Sequence, residues 1–307
     1  MTEGARIPLR LFAPRHWPAW IAFLIVRPLV WLPYWLQMSL GRGFGRLIQR
    51  LSPRKRHVTA VNLRLCLPEL SDAEREAIAR AHFESLGCAL FETALAWWGS
   101  DARVRPLLRL EGVEHLDRCL LQGHGAILLS AHFTPLEIGV RALLLRIKPA
   151  CMYQTPKNAV IAALSIRSRT ARTAGSISSD NPRALISALK RNLPVWYAPD
   201  QRQHGEEAAL VPFFGIPVTT NIATSRIAQI SKAPVLPFFS ERLENDAGYR
   251  SSIGPPLENF PSDDPLADAV RFHALIEAQV RRRPAQYLWS YKRFKRPGPD
   301  GDPYQTS

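Results

Sequence analysis

The chain has little cysteine and a shortage of acid. Its 307 residues include four cysteines, Cys66, Cys88, Cys119 and Cys151. None forms a Cys-x-x-Cys pair, and no histidine stands at metal-ligand spacing from them. That argues against a disulfide framework and a zinc site, and the thiols read as small apolar residues in a reducing compartment. Also absent are the P-loop, GxGxxG, GxSxG and HExxH motifs, so nothing marks a serine nucleophile. There is no internal repeat and no long low-complexity tract. Asp and Glu number 26 against 40 Lys and Arg, a formal charge of +14. Such an imbalance favours anionic partners, whether nucleic acid, anionic lipid, phosphorylated substrate or an acidic carrier protein, without choosing among them. A mean hydropathy of −0.12 excludes a bundle of membrane spans. With 46% hydrophobic and 21% charged residues, the chain has the composition of a folded protein with a core.

The apolar residues gather first at the N-terminus. Arg6, Arg10 and Arg15 precede the run Ala19 to Val26; Arg27-Pro28 interrupts it, and Leu29 to Leu36 resumes it. No cleavage site follows one clean apolar core, so a signal peptide does not fit. The two runs together approach the ~20 residues of a span, but Arg27, Pro28 and Pro33 burden it. Trp17, Trp20, Trp31, Tyr34 and Trp35 suit a membrane interface. A membrane anchor is expected, as a kinked span or an interfacial hairpin, with a buried N-terminal helix as the alternative. Arg42, Arg46, Arg50, Arg54, Lys55 and Arg56 follow as a cytoplasmic, lipid-facing basic flank. Residues 1–45 are therefore expected to form the anchor and its flank, 46–297 the main domain, and 298–307 a loose tail.

Beyond the flank, Ser71-Asp-Ala-Glu74 predicts a capping box opening a helix to about Trp98. From about Leu107 the pattern turns α/β. Apolar strands are expected at 126–130, 150–153, 194–198 and 234–239, and another at 249–253. Helices are expected at 135–146, 157–170, from 182, from 220 or 221 to 232, and at 266–282. Alternating strands and helices predict a mainly parallel, mixed sheet with helices on both faces.

Four places could carry chemistry. His132 stands just past the carboxyl end of strand 126–130, where open α/β sheets bind ligands. Glu137 follows, and a carboxylate near a histidine can fix its tautomer for general-base work. Thr134, Pro135 and Glu137 also match a helix-capping box, which accounts for Glu137 without catalysis. Asp200 follows strand 194–198 and should share the sheet edge with His132, or serve only as a turn residue. Arg167 and Arg169 end a helix, where they could bind phosphate, steady an oxyanion or simply offset the helix dipole. Last, the stretch Arg281 to Arg296 interleaves aromatic and basic residues, a composition fitting single-stranded nucleic acid or a headgroup surface.

Together these segments resemble the lauroyl/myristoyl acyltransferases of lipid A biosynthesis. The resemblance rests on His132-Phe-Thr-Pro-Leu-Glu137 as an H-x4-E motif, with Trp196-Tyr-Ala-Pro-Asp-Gln201, Val211-Pro-Phe-Phe-Gly215 and Pro284-Ala-Gln-Tyr-Leu-Trp289. It implies a fold like that of glycerolipid acyltransferases and a catalytic dyad of His132 and Glu137. Arg169, within Arg167-Ser-Arg169, and Asp200 would be functional supports. It further implies transfer from acyl carrier protein to a 3-hydroxyacyl hydroxyl of a phosphorylated, Kdo-bearing glycolipid at the inner membrane. No metal, cofactor or nucleic acid would be needed. Two other readings stay open: an acyltransferase for another glycolipid or aminolipid, and a non-catalytic basic protein binding membrane or nucleic acid.

Overall fold

The computed structural model describes residues 7–153, 158–170, 172–178, 181–202, 205, 207–295 and 302–305. Five helices come first: α1 (Trp17–Val26), α2 (Tyr34–Leu51), α3 (Pro53–Cys66), α4 (Asp72–Trp98) and the short α5 (Asp101–Val104). The α/β region then runs β1 (Leu108–Glu111), α6 (Val113–Leu120), β2 (Ala126–Leu129), α7 (Leu136–Leu144), β3 (Ala150–Tyr153), α8 (Ala159–Thr170) and β4 (Gly175–Ser178). It continues with α9 (Pro182–Lys190), β5 (Pro194–Tyr197), β6 (Ala208–Phe213), β7 (Ile216–Asn221) and α10 (Ala223–Ser231). It closes with β8 (Val235–Arg242), β9 (Tyr249–Ile253) and α11 (Pro265–Arg282).

Seven strands form one mixed sheet in the order β1-β9-β8-β2-β5-β3-β4, parallel throughout except for the antiparallel β8–β9 pair. The expected fold class is thus observed. The central strands β2 and β5 are buried at every residue, as continuous apolar runs require. Their side chains alternate between two cores. Ile127, Leu129, Val195 and Tyr197 join a large cluster with residues of α3, α9, α10 and α11. Leu128 and Trp196 join a second cluster with Leu116 of α6 and Leu143 of α7. Helices therefore cover both faces, and the carboxyl ends of β2 and β5 open side by side.

The capping box of α4 forms as expected: Ser71 Oγ accepts from the Glu74 N–H at 3.3 Å, and the Ser71 N–H donates to Glu74 Oε2 at 2.7 Å. The four cysteines are buried, and among the described residues none pairs in a disulfide. Among the described residues no helix is long and apolar enough to cross a membrane. The tail expected to be loose returns to the body at Tyr304, which is buried. Its hydroxyl donates to Asn62 Oδ1 at 2.6 Å.

Two features were not expected. One is the β6–β7 hairpin, whose tight turn is Phe214-Gly215, both with positive φ. The other is the contact between α2 and α4. A Cβ on Gly45 would lie 2.0 Å from the Phe83 carbonyl oxygen, and one on Gly87 2.1 Å from that of Gly41. The two helices meet backbone to backbone, which only glycine permits here.

Candidate active site

Strands β2 and β5 are parallel neighbours with Leu129 opposite Tyr197, and the Ser130 N–H extends the ladder to the Tyr197 carbonyl at 2.8 Å. His132 and Asp200 leave this edge at the same offset, which brings them together. Asp200 is 2% exposed and the His132 side chain 30%. The Nδ1–H of His132 donates to Asp200 Oδ1 at 2.6 Å, and the His132 backbone N–H donates to Oδ2 at 2.9 Å. An ionised carboxylate only accepts, so the ring proton sits on Nδ1 and the lone pair on Nε2. Burial by itself would lower the basicity of His132. The charge and hydrogen bond of Asp200 outweigh it and raise its pKa above the ordinary histidine value. For Asp200, burial pushes upward, but the charge and hydrogen bonds of His132 hold its pKa below the usual carboxylate range.

The loop that carries His132 is fastened by the segment 286–288. The Thr134 N–H donates to the Gln286 carbonyl at 2.7 Å, the Leu288 N–H to the His132 carbonyl at 3.1 Å, and Phe133 and Tyr287 form an antiparallel bridge. The Tyr287 hydroxyl donates to Asp200 Oδ2 at 3.3 Å. Tyr287 lies within a stretch that the sequence marks by its aromatic and basic composition and by the family resemblance, neither of which assigns Tyr287 a role. Much of this stretch faces inward, while Arg281 and Arg282 keep exposed side chains. Tyr287, Trp289, Arg293 and Phe294 are all buried, because the segment threads between the His132 loop and α3. There Asn62 Nδ2 donates to the Trp289 and Tyr291 carbonyls at 2.6 and 2.8 Å.

Glu137 lies in the first turn of α7, but the expected capping box does not form. Pro135 takes the N-cap position with no side-chain cap, and Thr134 instead shares a 2.6 Å hydrogen bond with Ser85 of α4. Glu137 Oε2 accepts from Trp97 Nε1–H at 2.9 Å. The carboxylate bonded to the His132 ring is Asp200. The end of α8 docks on the same tryptophan: Ser168 Oγ and Arg172 Nη1 donate to the Trp97 carbonyl at 3.1 and 3.0 Å. A cavity of about 30 Å³ lies beside Glu137, walled by Trp97, Arg141, Cys151 and Arg172. Burial and the nearby Arg141 lower the pKa of Arg172 from its usual value. Arg167 is exposed on α8. The Arg169 side chain lies outside the described residues. Among the described residues, no group of three or more His, Cys, Asp or Glu is arranged to hold a metal ion.

The model of the bacterial lipid A biosynthesis acyltransferase family matches residues 8–296. The chain belongs to this family. It is 34% identical over 283 residues to a lipid A biosynthesis palmitoleoyltransferase of Escherichia coli K12, covering 92% of each chain. It is 31% identical over 304 residues to a lipid A biosynthesis lauroyltransferase of the same organism, covering 99% of each. A lipid A biosynthesis acyltransferase of Haemophilus influenzae is 32% identical over 289 residues. As a lipid A biosynthesis acyltransferase, the chain presents at its sheet edge an imidazole with one nitrogen clamped and the other able to take a proton.

Proposed function

We propose that this acyltransferase moves a fatty acyl chain from acyl carrier protein to a hydroxyl on a 3-hydroxyacyl chain of a phosphorylated, Kdo-bearing lipid A precursor. The observation that carries the reading is the pair of hydrogen bonds from His132 to Asp200, which leaves Nε2 as the base. Nε2 takes the proton of the acceptor hydroxyl as its oxygen attacks the thioester carbon. The carbon–sulfur bond then breaks, the ester remains on the glycolipid, and the imidazolium returns its proton to the departing thiolate. Asp200 acts as a positioning residue that stabilises the imidazolium. Glu137, whose Oε2 accepts from Trp97 Nε1–H, supports the reaction through its negative charge. Arg169 steadies the oxyanion or a phosphate. The +14 charge suits an acidic donor protein and a phosphorylated acceptor alike. The reaction takes place at the cytoplasmic face of the inner membrane, with residues 17–40 attached to it.

The test is transfer of a labelled acyl group from acyl carrier protein to a purified precursor, paired with mass spectrometry of lipid A from cells with and without the gene. Loss of one acyl mass in cells, and loss of transfer in His132→Ala, are expected. Unchanged lipid A mass would overturn the reading.

A further inference from the structure

Helix α2 presents an apolar face that nothing among the described residues covers. Leu40, Phe44, Leu47 and Leu51 recur at helical spacing on its outer side, all exposed, Leu51 at 74%. The stripe is about 16 Å long at the α-helical rise. Its direction is fixed from behind. Gly41 and Gly45 press against Phe83, Gly87 and Cys88 of α4, and Met38 is fully buried on the same side. Both flanks are tied to the body: Arg42 pairs with Asp246 at 2.8 Å and Arg46 with Glu84 at 2.7 Å. The helix cannot roll to hide its leucines without breaking backbone-to-backbone packing.

Helix α1 is laid down in the same manner. Trp20 and Phe23 pack on Val160 and Leu164 of α8, while Trp17, Ile21, Leu24 and Ile25 face outward. The elbow between the two helices is fastened to the protein. Gln37 Nε2 donates to the Val30 and Leu32 carbonyls at 3.2 and 2.9 Å, and Arg103 donates to the Leu32 carbonyl. At ten residues, α1 is about 15 Å long, half of a ~30 Å hydrocarbon core. With the elbow fastened, α1 and α2 cannot join into one span.

The composition around the two faces identifies their occupant. Trp31 and Trp35 are exposed at the elbow, where indoles suit a bilayer interface. At the far end of the stripe Arg50, Arg54, Lys55 and Arg56 are exposed with no ion pair among the described residues, an arrangement complementary to anionic headgroups. We propose that α2 is a second, rigid lipid seat, and that the protein lies in the plane of an anionic leaflet on the outer faces of α1 and α2. The membrane contact thereby extends past residue 40 to Leu51 and the basic turn after it. This deepens the membrane attachment proposed above and rests on it. The test below reads lipid binding alone, so its failure leaves the acyl-transfer reading standing.

The full chain is mixed with vesicles of phosphatidylethanolamine and phosphatidylglycerol, or of phosphatidylcholine, and sedimented. A fourfold variant, Leu40→Ser with Phe44→Ser, Leu47→Ser and Leu51→Ser, is expected to lose at least tenfold in partition while keeping its unfolding temperature. A second variant, with Arg50, Arg54, Lys55 and Arg56 each changed to Gln, is expected to lose the preference for phosphatidylglycerol. Brominated lipids should quench the tryptophan fluorescence most when the bromines sit near the headgroup end of the acyl chains. Unchanged partition of the fourfold variant would overturn the proposal. So would strongest quenching from bromines at the chain ends, which marks a span. Loss of a solution dimer in the serine variant with vesicle binding intact would assign the face to a second copy instead.

Discussion

Asp200 grips His132 twice, with Oδ1 on the ring Nδ1–H at 2.6 Å and Oδ2 on the backbone N–H at 2.9 Å. One carboxylate thus fixes the ring orientation, the tautomer and the loop. The arrangement follows from β2 and β5 being parallel neighbours that release their loops at the same level of the sheet. Tyr287 completes the clamp from the C-terminal segment.

Replacing Asp200 by Asn removes the charge that raises the His132 pKa. Burial then acts unopposed, and the acidic limb of the pH–rate profile is expected to move to lower pH. The rate on the plateau should fall by about 10²–10⁴-fold, the range of general-base catalysis. The pair also makes stability pH-dependent. The raised His132 pKa adds stability that is complete below the ordinary histidine value and fades as pH rises through the raised one. The lowered Asp200 pKa adds stability above the ordinary carboxylate value that is lost as pH falls through the lowered one. In the Asn variant, thermal unfolding across pH should lose both dependences. An unmoved acidic limb would mean that the titrating base is not His132.

The α2–α4 contact should tolerate no side chain. In Gly45→Ala the added Cβ meets the Phe83 carbonyl at 2.0 Å, an atom of a helix backbone that cannot step aside. Overpacking of this kind costs about 1–3 kcal/mol. Calorimetry or circular dichroism should register a lower unfolding temperature. Gly43→Ala, whose Cβ meets nothing within 4 Å, should be neutral or slightly stabilising.

Behind the site, Arg242 Nε donates to Glu92 Oε1 at 2.5 Å, with Arg242 10% and Glu92 1% exposed. Arg242 Nη1 also donates to Ser85 Oγ at 2.8 Å, and Ser85 in turn bonds Thr134 of the His132 loop. Arg242→Met leaves Glu92 buried and uncompensated, a loss of about 3–5 kcal/mol. The double variant with Glu92→Leu should recover most of it, read by denaturant unfolding.

The sequence made the central sheet legible for a physical reason. Strands covered on both faces, such as Ala126–Leu129 and Pro194–Tyr197, read as unbroken apolar runs. The β1 strand was not legible because it is four residues long and half exposed, and β4, Gly175–Ser178, has one apolar residue. The β6–β7 hairpin hid because its turn uses Phe214 at φ 51° where Asn or Asp would announce it. That His132 and Asp200 share an edge followed from strand ends alone. That they bond to each other depends on β5 being the neighbour of β2, a non-local choice that no local pattern encodes. Tyr287 is further still from both in sequence. The capping motif at Thr134 misled because its hydroxyl found Ser85 on another helix, a competition visible only in three dimensions.

Glu137 and Asp200 are both carboxylates at the site, and their roles separate by what each bonds. Asp200 touches the His132 ring, whereas Glu137 Oε2 accepts from Trp97. In Glu137→Gln the amide oxygen can still accept from the Trp97 indole, so the unfolding temperature should change little. What disappears is the negative charge of the carboxylate. Transfer to the lipid A precursor should fall by about 10²-fold or more, within the range for a group engaged in proton transfer or its alignment. The acidic limb of the profile should stay in place, because the base and its partner are intact. Asp200→Asn should move that limb, and His132→Ala should abolish it along with the reaction. Adding Glu137→Gln to His132→Ala should cost little more, since groups that act as one unit are not additive. The measurement is acyl transfer from acyl carrier protein across pH for the three single variants and that double. A Glu137→Gln limb displaced as far as that of Asp200→Asn would return Glu137 to the histidine. A Glu137→Gln enzyme with full activity would remove it from the reaction and leave it as the residue that seats Trp97.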